Sequence, residues 1–204
     1  MIALILASQI ALNYGQTAAM IDAKGMEGWI AFCEQKEGHD LPEYELRAQI
    51  YQYAEAVRTT NKTRIAKQPS SLQPYYTSLA TELHNYSMQL VATEEALMGG
   101  GTMYILFYAS ASARSAEVIK ALATAKFKAK RGYVVSDVTK ALTTFDTAIA
   151  GADPDFSKPA DAKTALASAR VSYGKVAALL AKRPRAESDF VLEFCASRAK
   201  LETN

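Results

Sequence analysis

Between positions 72 and 97, Leu72, Tyr76, Leu79, Leu83, Tyr86, Leu90 and Leu97 recur at steps of four, three, four, three, four and seven. That spacing holds one apolar stripe on one side of an α-helix, and it is incompatible with the period-two alternation of a half-buried strand. A stripe so long must be covered, so the rest of the chain has to supply partner helices. Pro69, Ser70 and Ser71 read as the end of one helix and the cap of the next, and Gly99, Gly100 and Gly101 read as the stop.

The flanking sequence repeats the pattern. Leu46, Ile50, Tyr53 and Val57 mark a shorter helix entered through Leu41-Pro42, with Arg47, Gln49, Gln52, Glu55 and Arg58 on its solvated face. One helix is expected from Thr102 to about Arg131. Ser136 opens another, with Val138, Leu142, Phe145 and Ile149 inward and Gly151 with Asp153-Pro154 closing it. A further helix begins near Pro159 and carries Leu166, Tyr173, Val176 and Leu180. Pro184 breaks it, and Phe190, Val191, Phe194 and Leu201 give the last helix its face. The pattern predicts an all-α protein, an antiparallel bundle of about six or seven helices joined by short loops, with residues 1–204 forming a single helical domain. A 50% hydrophobic and 22% charged composition excludes wholesale disorder.

Charge is unevenly distributed. Residues 1–100 carry 7 Lys/Arg against 11 Asp/Glu, and residues 101–204 carry 16 against 10. The halves differ in sign, which draws them together, but the bias is too mild to indicate nucleic acid.

Few residues are spaced for chemistry. His39 lies in the loop Gly38-His39-Asp40, and the Glu82-Leu83-His84 spacing is not the Glu-x-x-His of a di-iron bundle. Glu94 and Glu95 are adjacent, so they point about 100° apart on a helix and cannot readily share one substrate. Gly99-Gly100-Gly101-Thr102 lacks the strand and the Gly-Lys-Ser/Thr of a phosphate loop. No Gly-x-Ser-x-Gly occurs, and neither cysteine has a base nearby in sequence. No catalytic residue, metal ligand or cofactor is expected. Cys33 and Cys195 read first as small core residues; if the terminal helices meet, they could form a disulfide.

Two uncharged stretches stand out. Residues 1–21 lack the basic start of a signal peptide, so they read as a packed or membrane-lying first helix, not a cleaved leader. Residues 96–113 include Met103, Tyr104, Ile105, Leu106, Phe107 and Tyr108, followed by small residues, and reach the lower length limit for a membrane span. A fully covered central helix has the same look. Lys120, Lys126, Lys128, Lys130 and Arg131 form a basic patch that could meet an anionic partner or lie as solvated helix-end surface; Lys182, Arg183 and Arg185 around Pro184 carry the same double meaning.

The leading functional expectation is a non-catalytic helical subunit that takes its place in a larger protein assembly through apolar helix faces. The alternative is a membrane-active or membrane-anchored protein inserting residues 1–21 and 96–113. A third is a secreted or periplasmic inhibitor-like bundle, resting on the cysteine pair. The expected location is soluble or peripheral to a membrane.

Overall fold

The computed structural model describes residues 43–99 and 104–200. These form six α-helices and no strand: α1 (Glu43–Ala66), α2 (Gln73–Leu97), α3 (Tyr104–Ala123), α4 (Val135–Ala150), α5 (Pro159–Leu180) and α6 (Arg185–Arg198). The seam of α2 is the centre of the fold, since Tyr76, Leu79, Leu83, Tyr86 and Leu90 are all buried. Burying each leucine contributes roughly 1.5–3 kcal/mol relative to leaving it in water.

The core is divided. A large cluster joins the α2 seam to Val138, Leu142 and Phe145 of α4, Leu166, Tyr173 and Val176 of α5, and Val191 and Cys195 of α6. Val118, Ile119 and Leu122 from the second half of α3 complete it, with Ile65 from the last turn of α1. A smaller cluster holds α1 to the first half of α3: Ile50, Tyr53, Ala54 and Val57 against Ala109 and Ala113. Two tyrosine hydroxyls tie elements together inside the large core. Tyr86 donates to the Cys195 carbonyl of α6 at 2.8 Å, and Tyr173 of α5 donates to the Val135 carbonyl of α4 at 3.0 Å.

Several helix ends depart from the sequence reading. Ser70 and Ser71 do not cap α2; its N-cap is Leu72, with no side-chain cap bond, and a proline stands in the first turn. The Gln73 side chain instead closes the end of α1, donating to the carbonyls of Ala66 (3.2 Å) and Gln68 (2.8 Å). α4 starts at Val135, where the Asp137 carboxylate accepts the Val134 N–H at 2.8 Å. The expected helix from Thr102 to Arg131 stops at Ala123. Lys126 N–H bonds the Ala121 carbonyl and Ala125 N–H bonds that of Leu122, the Schellman arrangement, with Ala125 at φ 53°.

The uncharged run 96–113 is not one helix. It belongs partly to α2 and partly to α3, and Gly99 between them has φ 92°. A Cβ at Gly99 would collide with the Phe156 carbonyl oxygen, and the Lys158 N–H bonds the Ala96 carbonyl at 2.8 Å. The first glycine of the run is therefore required by its left-handed turn and by the close approach of the α4–α5 connection. Among the described residues, no helix is long and apolar enough to cross a membrane.

Candidate functional site

The small residues of α3 do two different things. Ala109 and Ala113 are covered by α1, as small residues at a close helix contact should be. Ser112 and Ser115, with Ala116 that also packs partly against the α1 contact, floor a cavity of about 340 Å³ between α1, α2 and α3. A volume of that order is at the lower end of the 300–1,000 Å³ typical of small-molecule sites.

Each wall is a row of residues at helical spacing. α1 supplies Arg58, Asn61, Lys62 and Ile65, and α2 supplies Thr77, Ala80, Thr81, His84 and Asn85. On α2 these positions lie beside the leucine seam, so packing of the seam into the large core turns them towards α1. Among the described residues, no Asp or Glu lines the cavity. The ionisable side chains of the described lining are Arg58, Lys62 and His84.

His84 is the most perturbed of these. Burial, reinforced by the nearby Arg58 charge, pushes its pKa from the ordinary 6.5 down to about 4, against the opposing pull of a hydrogen bond with the Ala111 backbone and of Glu55. The ring is therefore neutral at neutral pH. Its Nδ1 lies 3.4 Å from Ser112 Oγ. A base that holds a proton only below about pH 4 is poorly matched to deprotonating a serine near neutrality. The pair is suited to hydrogen bonding with a bound group.

Beside the cavity mouth, Arg58 is held in place by its neighbours. It pairs with Glu55 at 3.0 Å and donates to the Tyr108 hydroxyl, which in turn donates to Glu55 at 2.9 Å. The Tyr108 ring stacks on Tyr51 at 6.1 Å and meets His84 edge-on at 5.2 Å. Tyr108, expected as part of an interaction or membrane segment, thus helps set the cavity's edge. Met103 and the side chains of Tyr104, Ile105, Leu106 and Phe107 lie outside the described residues, as do residues 1–21, His39 and Cys33. Cys195 is fully buried in α6, and that burial raises its thiol pKa.

The basic patch is spread over more than a helix end. Lys120 is in the last turn of α3, where burial and the positive charges of Arg64 and Lys126 lower its pKa against the pull of Glu117. Lys126, Lys128, Lys130 and Arg131 lie on the connection between α3 and α4. That connection is pinned to α6: Phe127 packs on Phe190 at 5.4 Å, and the Lys130 N–H donates to Glu193 at 2.6 Å. The Arg131 guanidinium lies 4.5 Å from the Tyr133 ring centroid. Around Pro184, Arg183 and Arg185 are engaged by Glu187 (2.9 Å) and Asp189 (2.6 Å), so they serve the N-terminal turn of α6. Among the described residues, no group of three or more His, Cys, Asp or Glu side chains is placed to hold a metal ion.

The cavity was not anticipated from sequence. Its signal was a polar row at steps of three and four on each of α1 and α2, and small residues at the same steps on α3. Compared with protein-family models, curated proteins and solved structures, the chain matches none of them.

Proposed function

We propose that this chain is a non-catalytic helical binding protein, an antiparallel bundle whose cavity between α1, α2 and α3 receives a small polar organic molecule. The observation that carries the reading is the lining itself: a cavity of about 340 Å³ walled by neutral hydrogen-bonding groups and two cations, with no carboxylate among the described residues. Small-molecule sites combine such concavity with a few convergent polar groups. A fragment library screened by ligand-observed NMR against the full chain and against Ala116→Leu tests this. Fragments that bind the parent and are displaced by the added leucine support it; a screen with no such fragment overturns it.

A place in a larger protein assembly is the second reading. Met98 and Phe156, 74% and 78% exposed, favour it, since both lie where Gly99 meets the α4–α5 connection. Light scattering on the full chain over a concentration series bears on it. Association that disappears in Phe156→Ser supports the reading, and a monomer at every concentration counts against it.

A further inference from the structure

We infer that the cavity selects a small organic anion, a carboxylate or a phosphate ester, whose charged group sits beside Arg58 and Lys62 and whose body lies on the neutral floor of α3. This rests on the ligand-binding reading above and goes beyond it by fixing the ligand's charge.

The argument begins with the charges that face the space. Arg58 and Lys62 are four residues apart on α1, so they lie on the same side of the helix one turn from each other. The third ionisable wall group, His84, is uncharged at neutral pH. Among the described residues no carboxylate lines the space; Glu55, outside the lining, offsets the Arg58 charge, and the Lys62 charge is left uncompensated. A cationic ligand meets repulsion there, and a neutral ligand gains hydrogen bonds from the pair without the charge attraction that strengthens them for an anion.

The two cations are prepared differently. The guanidinium of Arg58 is oriented by Glu55 and Tyr108, and its five donors exceed what those two partners use. Lys62 is exposed and has no carboxylate within ion-pair distance among the described residues. An arriving anion therefore finds one fixed fork and one mobile ammonium. Asn61, buried between them in sequence, accepts from Arg64 at 3.4 Å through its side-chain oxygen, which leaves its amide NH2 as a donor.

The rest of the lining is neutral, from the exposed Thr77 and Thr81 to the buried Ser112 and Ser115. Ser115 Oγ spends its proton on the Ser112 carbonyl at 3.1 Å, and Thr81 spends its own on the Thr77 carbonyl at 3.0 Å. Ile65, Ala80 and Ala116 supply apolar contact. A charged head with a compact, largely apolar body matches a half-open cavity of this volume.

The test measures binding of benzoate, phenyl phosphate and neutral benzamide to the full chain by calorimetry at fixed low ionic strength. At least one anion is expected to bind about tenfold more tightly than benzamide, a difference of about 1.4 kcal/mol. The preferred anion identifies the head group. Lys62→Gln should remove most of that preference, Lys62→Arg should keep it, and benzamide binding should be indifferent to both. Lys62 is exposed, so both variants fold, and an unchanged Tm verifies it. If benzamide binds as tightly as both anions, or if Lys62→Gln leaves anion binding unchanged, the charge inference is overturned. In that event the cavity reading survives provided Ala116→Leu abolishes binding of all three. If none of the three binds, both fall.

Discussion

A histidine buried neutral makes stability depend on pH in a defined direction. The His84 pKa is about 4 in the folded chain and 6.5 when unfolded, so between those values the unfolded state binds the extra proton. Stability from this residue is complete above about pH 6.5 and is lost as pH falls towards 4, by up to about 3 kcal/mol. Urea unfolding from pH 7.5 to 4.5 should show that loss, and His84→Gln should flatten the profile over that window. One position earlier, Leu83 is fully buried in the seam. Leu83→Ala should cost about 2–5 kcal/mol in the same assay, whereas Gln52→Ala, on an exposed face, should change stability by less than about 0.5 kcal/mol. Leu83 was legible in the sequence because it belongs to a periodic row. His84 was not, because its environment is made by Arg58, Ala111 and Ser112, which no local spacing connects to it.

Helix interiors were easier to read than helix ends. Rows such as Val138, Leu142 and Phe145, or Leu166, Tyr173 and Val176, are buried as their spacing demands. The end of α3 was missed because no glycine or proline marks it: Ala125 takes the left-handed position that glycine normally fills. A Cβ in that conformation costs roughly 1–2 kcal/mol, partly offset by the greater freedom of unfolded glycine. Ala125→Gly is therefore expected to stabilise the chain by about 0.5–1 kcal/mol, read as a shift of the denaturation midpoint. Along the same helix, Ala113 is buried in the contact with α1, and Ala116, three residues on, packs only partly against it and borders the cavity. Ala113→Leu should overpack the contact with α1 and cost about 1–3 kcal/mol. Ala116→Leu, at a partly buried position that borders the cavity, should cost less in a parallel thermal melt. The small residues were visible in the sequence; which of them would be covered was not, since that depends on how α1 and α2 diverge above α3.

Over the whole molecule, the opposite charges of the two halves of the sequence meet across α2. Lys175 of α5 pairs with Glu82 at 3.0 Å, and Arg198 of α6 approaches Glu94 at 3.8 Å. The first is largely exposed on the lysine side and contributes little stability. The division of the core has a larger consequence. Among the described residues, α1 adds only Ile65 to the large cluster and otherwise packs in the smaller one, with the cavity lying between them. Proteins open in cooperative units whose free energies follow such local contacts. Native-state hydrogen exchange should find amides of α1 around Ala54 and Val57 released by a partial opening, at a lower free energy than those around Leu83 and Val176. A uniform exchange free energy across α1, α2 and α5 would contradict this. A molecule bound in the cavity would touch both sides of the division, so occupancy should slow α1 exchange first and couple a section of chain that otherwise opens by itself to the rest of the fold.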